Sequence, residues 1–175
     1  AAALAAYARR EQRLRFEAQC AREGAPCRLP AREELRDAAL LIVGDGPDRE
    51  RLERLASDAP DGSVAFAGQA SESDLPRYYR AGDVFAMPCR NRLGGLEVEG
   101  WGNVFIEAAA CGRPVVVGDS GGARESLVPG ETGLLVDGSD GAQVSEAVGS
   151  LLADPARAQS MGRAGRERVE RAFAW

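Results

Sequence analysis

Five short apolar runs, each ending at a glycine or a proline, set what this chain can fold into. They are "AALLIV" (38–43), "SVAFAG" (63–68), "DVFAMP" (83–88), "RPVVVG" (113–118) and "TGLLVDG" (132–138). The runs are continuous instead of alternating, which suits strands buried on both faces of a parallel sheet. Stretches with helical spacing lie between them. "DRERLERLASDA" puts Leu52, Leu55 and Ala56 on one stripe, and "SESDLPRYYRAG" offers Ser71 and Asp74 as a cap and a first-turn acid. Val144, Ala147, Val148, Leu151 and Leu152 mark an amphipathic helix, and "PARAQSMGRAGRERVERAFAW" opens a last one on Pro155. This alternation predicts an α/β fold: a single Rossmann-like lobe with a mostly parallel sheet and helices on both faces. Ligands of such sheets bind beyond the carboxyl ends of the strands. Segments 44–46, 68, 88–102 and 118–122 each follow a strand, so the glycine-rich turns collect along that one edge.

Residues 1–22, "AAALAAYARREQRLRFEAQCAR", hold strong helix formers and no breaker, and predict a helix. "EGAPCRLP" then interrupts it with Gly24, Pro26 and Pro30. Residues 1–36 therefore read as a helical extension, and residues 37–175 as the lobe. The chain's 175 residues suffice for one domain with a real core. A net charge of −5 argues against a duplex nucleic-acid binder, which needs a basic face. There is no histidine, so histidine general-base chemistry and histidine metal ligation are excluded within this chain. Cys20, Cys27, Cys89 and Cys111 match neither a zinc pattern nor a redox C-x-x-C, and read as free thiols of a reducing compartment. No apolar run approaches the ~20 residues of a membrane span.

The chemistry gathers in "GGLEVEGWGNVFIEAAACGRPVV", residues 94–116. Between Glu99 and Arg113 the only charged side chain is Glu107, in a helix that otherwise reads as buried all round. Burying an isolated carboxylate costs several kcal/mol unless it is paired. One reading is an ion pair with Arg90, Arg92 or Arg113. The other is a carboxylate aimed at the ligand edge, accepting hydrogen bonds from the vicinal hydroxyls of a ribose. A helix opening near Asn103 would leave the N–H groups of Gly102, Asn103 and Val104 free for an anion, with Gly100 and Gly102 allowing close approach. Glu99 stands just before it. Such a patch suits a nucleoside diphosphate carrying a polyhydroxyl group. "GDGP" (44–47) carries two glycines of a dinucleotide fingerprint but lacks the third, and reads more simply as a tight strand-to-helix turn. Trp101 is placed to stack on a sugar or to pack on the loop. Arg90 and Arg92 are placed to pair with Glu97 or Glu99 or to face an anionic acceptor. Cys89 and Cys111 read as packed thiols, and Gly121–Gly122 as a turn with positive φ.

"EGWGNVFIEAAACGRPVVVGDSGGARESLVPGETGLLVDG" resembles the signature of retaining glycosyltransferases of the GT-B fold, with Glu99 and Glu107 matching its Glu-x7-Glu motif. "LLIVGDGPDRERLERLA", "VAFAG" and "YYRAGDVFAMP" fit the same family in the expected order. The finer resemblance, carried by "MPCRNRLGGLEVEGWGNVFIEAAACG", is to actinobacterial GDP-mannose-dependent phosphatidylinositol-mannoside mannosyltransferases. It covers roughly residues 37–175. The resemblance implies that Glu99, at the catalytic centre, contacts hydroxyls of the transferred sugar. It implies that Glu107 holds the ribose, and that Gly102, Asn103 and Val104 present N–H donors to the diphosphate and sugar. Gly68 and Gln69 would border the base. No metal and no cofactor are implied; the nucleotide sugar is the donor substrate, and a basic and dipolar surround stabilises its diphosphate as leaving group. The acceptor implied is a lipid or a glycan, and the place implied is the cytoplasm, at the inner face of the membrane.

The resemblance also implies a preceding Rossmann lobe with the acceptor site and a histidine, neither of which this sequence contains. It implies a first strand followed by an arginine and a lysine in a G-R-x…K-G pattern, which residues 1–36 do not show. Arg9, Arg10 and Arg13 stand in the predicted helix and do not take that role. The sequence thus reads as the donor-binding half of an enzyme, incomplete at both ends, with no sugar transfer expected from it alone. Two alternatives stand beside this: a non-catalytic nucleotide-sugar-binding module and an inactive remnant. The sheet edge beside "AALLIV", or the surface under the crossover helix that the resemblance implies, is expected to be poorly covered unless residues 1–22 fold back on it.

Overall fold

The computed structural model describes residues 4–9, 38–60 and 62–173, the first of these as backbone only. Six strands form one sheet: β1 (Leu4–Arg9), β2 (Ala38–Val43), β3 (Val64–Gly68), β4 (Val84–Met87), β5 (Val115–Gly118) and β6 (Gly133–Val136). Their order is β3-β2-β1-β4-β5-β6. The helices are α1 (Arg49–Ala56), α2 (Leu75–Ala81), α3 (Asn103–Ala110), α4 (Gly141–Ala153) and α5 (Pro155–Ala172). All five apolar runs become strands, and β2–β3, β4–β5 and β5–β6 pair in parallel. The α/β, Rossmann-like expectation is met.

The N-terminal helix is not. Leu4–Arg9 is a strand, inserted antiparallel between β2 and β4 with Leu4 opposite Val43 and Arg9 opposite Ala38. The remainder of the predicted helical extension lies outside the described residues. Intrinsic propensity favours a helix for "LAAYAR", but propensity is a weak prior. A position between β2 and β4 offers ladder partners for N–H and C=O groups on both sides, and strand backbone satisfies them. The sheet is accordingly mixed, and the edge of "AALLIV" expected to be bare is paired with β1.

Continuous apolar runs make sense of the packing, because β4, β5 and β6 each feed two cores. Val84 and Ala86 face one side with Val116, under Val144, Val148, Leu151 and Leu152 of α4 and Ala158 and Met161 of α5. Phe85 and Met87 face the other side with Val115 and Val117, under Tyr79 of α2 and Phe105 and Ala108 of α3. The alternation is the period-2 pleat, with apolar residues on both phases. Asp140 caps α4 by accepting from the N–H groups of Ala142 and Gln143, and Asp154 caps α5 from that of Arg157, so both helices start where the sequence changes grain.

Helix α5 begins in the first core and then packs on α3, which belongs to the second. Small residues make this approach possible. A Cβ on Gly162 would overlap the Gly112 carbonyl in the turn after α3, whereas a Cβ on Gly165 would stand 3.4 Å from Ala109 Cβ, in ordinary contact. The two positions therefore separate helix propensity from packing. Gly165→Ala should raise stability by up to ~1 kcal/mol through propensity. Gly162→Ala should lower it by about 1–3 kcal/mol through overpacking. Urea unfolding of the two variants beside the parent chain checks the opposite signs.

Candidate functional site

Helix α3 starts where it does because of Gly102. This residue is buried, has φ +74°, and a Cβ there would overlap the Phe105 ring, which is itself fully buried (0% exposed). Only glycine meets both demands. Among the described residues no side chain caps the helix. The Phe105 N–H donates to the Gly102 carbonyl at 2.9 Å, and those of Asn103 and Val104 are left for solvent or a ligand, in the field of the positive helix end. Asn103 is exposed and Val104 half-buried.

Glu107 stands one turn further on, and its setting corrects the expectation of burial. Phe105, Ala108 and Ala109 turn into the core, while Glu107 and Ala110 are exposed. The run of small apolar residues made the helix read as buried all round, but an eight-residue helix lying on a sheet keeps one face open. Among the described residues Glu107 has no ion pair with Arg90, Arg92 or Arg113; Arg92 pairs instead with Glu97 at 3.5 Å. The partner of Glu107 is Tyr79, whose hydroxyl donates to Oε2 at 2.7 Å. Burial, then the hydrogen bond to Glu107 and its charge, push the Tyr79 hydroxyl far above its ordinary pKa, so it stays a donor. Sequence reading missed Tyr79. A signal was present: two adjacent tyrosines on a short helix cannot share a face, and a buried tyrosine hydroxyl needs a partner.

Glu99 is half-buried and held through its backbone. Its N–H donates to Ser120 Oγ at 3.0 Å, and that buried hydroxyl donates to Asn91 Oδ1 at 2.7 Å. One Glu99 carboxylate oxygen accepts from the Gly100 N–H at 3.2 Å. The loop after β5 comes so near that a Cβ on Gly121 would overlap the Glu99 carbonyl and one on Gly122 the Gly100 carbonyl. Of this glycine pair only Gly121 has positive φ, +52°; Gly122 is present for space. Gly118 and Gly138 press in the same way on Cys89. Three loops that follow neighbouring strands thus lock together through backbone contacts. Ser120 and Asn91 were not singled out from sequence, since a serine before two glycines reads as part of a turn. Trp101 packs edge-to-face on Phe173, centroids 5.2 Å apart, yet remains 39% exposed.

Gly68 ends β3 and Gln69 follows it, half-buried and exposed respectively. The Gly44 N–H donates to the Gly68 carbonyl at 2.7 Å, and "GDGP" makes the strand-to-helix turn expected of it. An open cleft of about 500 Å³ lies at this turn, between Gly44–Arg49, Phe66 and the Arg92–Glu97 pair. Among the described residues no three of Cys, Asp and Glu gather as metal ligands. Glu99, Gly102–Val104 and Glu107 run continuously from loop to helix, and Tyr79 joins α2, which follows Gly68 and Gln69, to Glu107. This arrangement can accept hydrogen bonds from paired hydroxyls and donate several to an anion.

Cys89 and Cys111 are packed thiols, as expected. Burial, then the charge of Glu99, raises Cys89 from 9.0 to about 11, and its Sγ donates to the Gly118 carbonyl at 3.2 Å. Burial likewise raises Cys111. A neutral thiol favoured by folding stabilises the chain below the unfolded pKa. The unfolded thiol loses its proton first, so that stabilisation declines as pH rises from 9 towards 11. Cys89→Ser keeps a donor for Gly118 and removes the titration. Urea midpoints measured from pH 8 to 10.5 should fall less steeply for Cys89→Ser than for the parent chain.

Comparison with known proteins shows the family of the chain. Residues 27–168 match the family model described as Glycosyl transferases group 1. A GDP-mannose-dependent alpha-(1-6)-phosphatidylinositol monomannoside mannosyltransferase of Mycolicibacterium smegmatis is 51% identical over 150 residues, covering 83% of this chain and 39% of the relative. The monoacylated-substrate counterpart of Corynebacterium glutamicum is 50% identical over 139 residues, covering 79% and 36%. Among solved structures, a sucrose-phosphate synthase from Thermosynechococcus elongatus superposes with a TM-score of 0.67 at 37% identity, over 77% of this chain and 34% of that one. The chain spans about two fifths of the length of the curated relatives it matches. With the family model covering most of its length, the chain belongs to the group 1 glycosyl transferases.

Proposed function

We propose that this chain is the donor-binding lobe of a retaining hexosyltransferase whose donor is GDP-mannose and whose acceptor is a phosphatidylinositol mannoside. The observation that carries the reading is one patch of α3: an N-terminus that, among the described residues, no side chain caps and, one turn later, an exposed carboxylate that gives one oxygen to Tyr79. The half-buried Glu99 stands just before it. In this reading Glu107 accepts from the ribose hydroxyls, and the N–H groups of Gly102, Asn103 and Val104 receive the diphosphate. Glu99 contacts the hydroxyls of the sugar, and Gly68 and Gln69 border the base. Fixed donors aimed at a diphosphate favour its departure, because charge grows there as the glycosidic bond breaks. Donor specificity and acceptor come from the names of the relatives at about half identity. A lipid acceptor would bring the whole enzyme to the cytoplasmic face of a membrane as a peripheral protein; among the described residues no helix is long and apolar enough to cross one.

Calorimetry of the chain against GDP, UDP, ADP and GDP-mannose tests this, and GDP should bind best of the three nucleotides. Glu107→Gln should weaken GDP binding about tenfold or more, as expected for a charge-assisted hydrogen bond of roughly 1.5–3 kcal/mol. Glu99→Gln should leave GDP binding nearly unchanged and weaken GDP-mannose. Equal effects of the two changes on GDP would sink the division of roles.

A further inference from the structure

We infer that Tyr79 is a positioning residue for Glu107, holding one carboxylate oxygen so that the other lone pairs are aimed at the two ribose hydroxyls of a nucleotide. The inference rests on the donor-lobe reading above and goes beyond it, since Tyr79 is buried beneath Glu107 and acts through it. An exposed glutamate samples several rotamers, and ordering it on binding costs side-chain entropy. The Tyr79 hydroxyl, at 2.7 Å from Oε2, removes most of that freedom before a ligand arrives. A carboxylate offers about four acceptor positions, so one donor from the protein leaves room for both hydroxyls of a vicinal pair.

Tyr79 can hold Glu107 because it is held itself. Its side chain is 4% exposed. Its ring stands edge-on to Phe85 of β4, centroids 5.4 Å apart, and Phe85 stands edge-on to Phe105, centroids 5.9 Å apart. Phe105 is on α3, two residues before Glu107. The chain of contacts therefore closes on itself: α2 to β4, β4 to α3, and α3 back to α2 through the hydrogen bond. Rotation of Tyr79 away from Glu107 would break the aromatic packing, and a shift of α3 would move Phe105 off Phe85. A phenol that keeps its proton through the whole working pH range supplies a constant donor.

The test uses the full chain, the variants Tyr79→Phe and Glu107→Gln, and two probes, GDP and 2′,3′-dideoxy-GDP. Tyr79→Phe keeps the ring and removes only the hydroxyl. The parent chain should prefer GDP over the dideoxy nucleotide. Tyr79→Phe should cut that preference about three- to tenfold, by weakening GDP alone, as loss of a modest hydrogen bond would. A merely structural role would instead weaken both probes equally. Glu107→Gln should reduce the preference, and adding Tyr79→Phe to it should change little further, because the hydroxyl acts through the carboxylate. If Glu107→Gln removes the preference and Tyr79→Phe keeps it, the positioning role is overturned and the donor-lobe reading stands. If the parent chain does not bind GDP, or binds both probes alike, the donor-lobe reading fails and the positioning role falls with it.

Discussion

The Phe105 ring beneath Gly102 is the contact on which the rest of the site depends. It sets the first residue of α3, and with it the height at which the free N–H groups stand above the sheet. The same ring joins the aromatic cluster with Phe85 and Tyr79 that fixes the rotation of α3 about its axis. Height and rotation together determine where a side chain one turn into the helix emerges. The position of Glu107 follows from packing two residues away, not from any property of the glutamate.

Loop contacts supply a second layer of order. Ser120, fully buried, links the Glu99 backbone to Asn91, and the glycines at 118, 121, 122 and 138 let the loops after β4, β5 and β6 touch carbonyl against backbone. Loops this close lose little further entropy on meeting a ligand, because folding has already restricted them. Arg168 extends the tie to the long last helix by donating to the carbonyls of Glu125 and Ser126, at 2.8 Å each. Phe173, at the end of that helix, reaches Trp101 in the Glu99 loop.

Strand content was legible because the apolar runs are continuous and end in glycine or proline; a helix of that length would show a polar stripe. The opening of α3 at Asn103 was legible too, since glycines at 100 and 102 precede an unbroken helix-forming run. The family could be read from Glu99, Glu107 and the order of the surrounding motifs. Leu4–Arg9 was misread because its local signal is helical, and what overrides it is pairing with a strand that begins only at Ala38. Burial of Glu107 was misjudged for a related reason: alanines carry no label saying which side of a helix meets the sheet.

By itself the sequence determined the order of strands and helices from Ala38 onward, the edge on which the glycine turns gather, and the residues that could carry chemistry there. Those properties are local or periodic, and a chain's own pattern encodes them. Tertiary structure alone decided that Tyr79 would reach Glu107, that Ser120 would hold the backbone of Glu99, and that residues 4–9 would form a strand within the sheet. Each of these joins segments twenty or more residues apart in sequence. Their meeting depends on how the two cores stack on the sheet, a property that no single stretch of sequence contains.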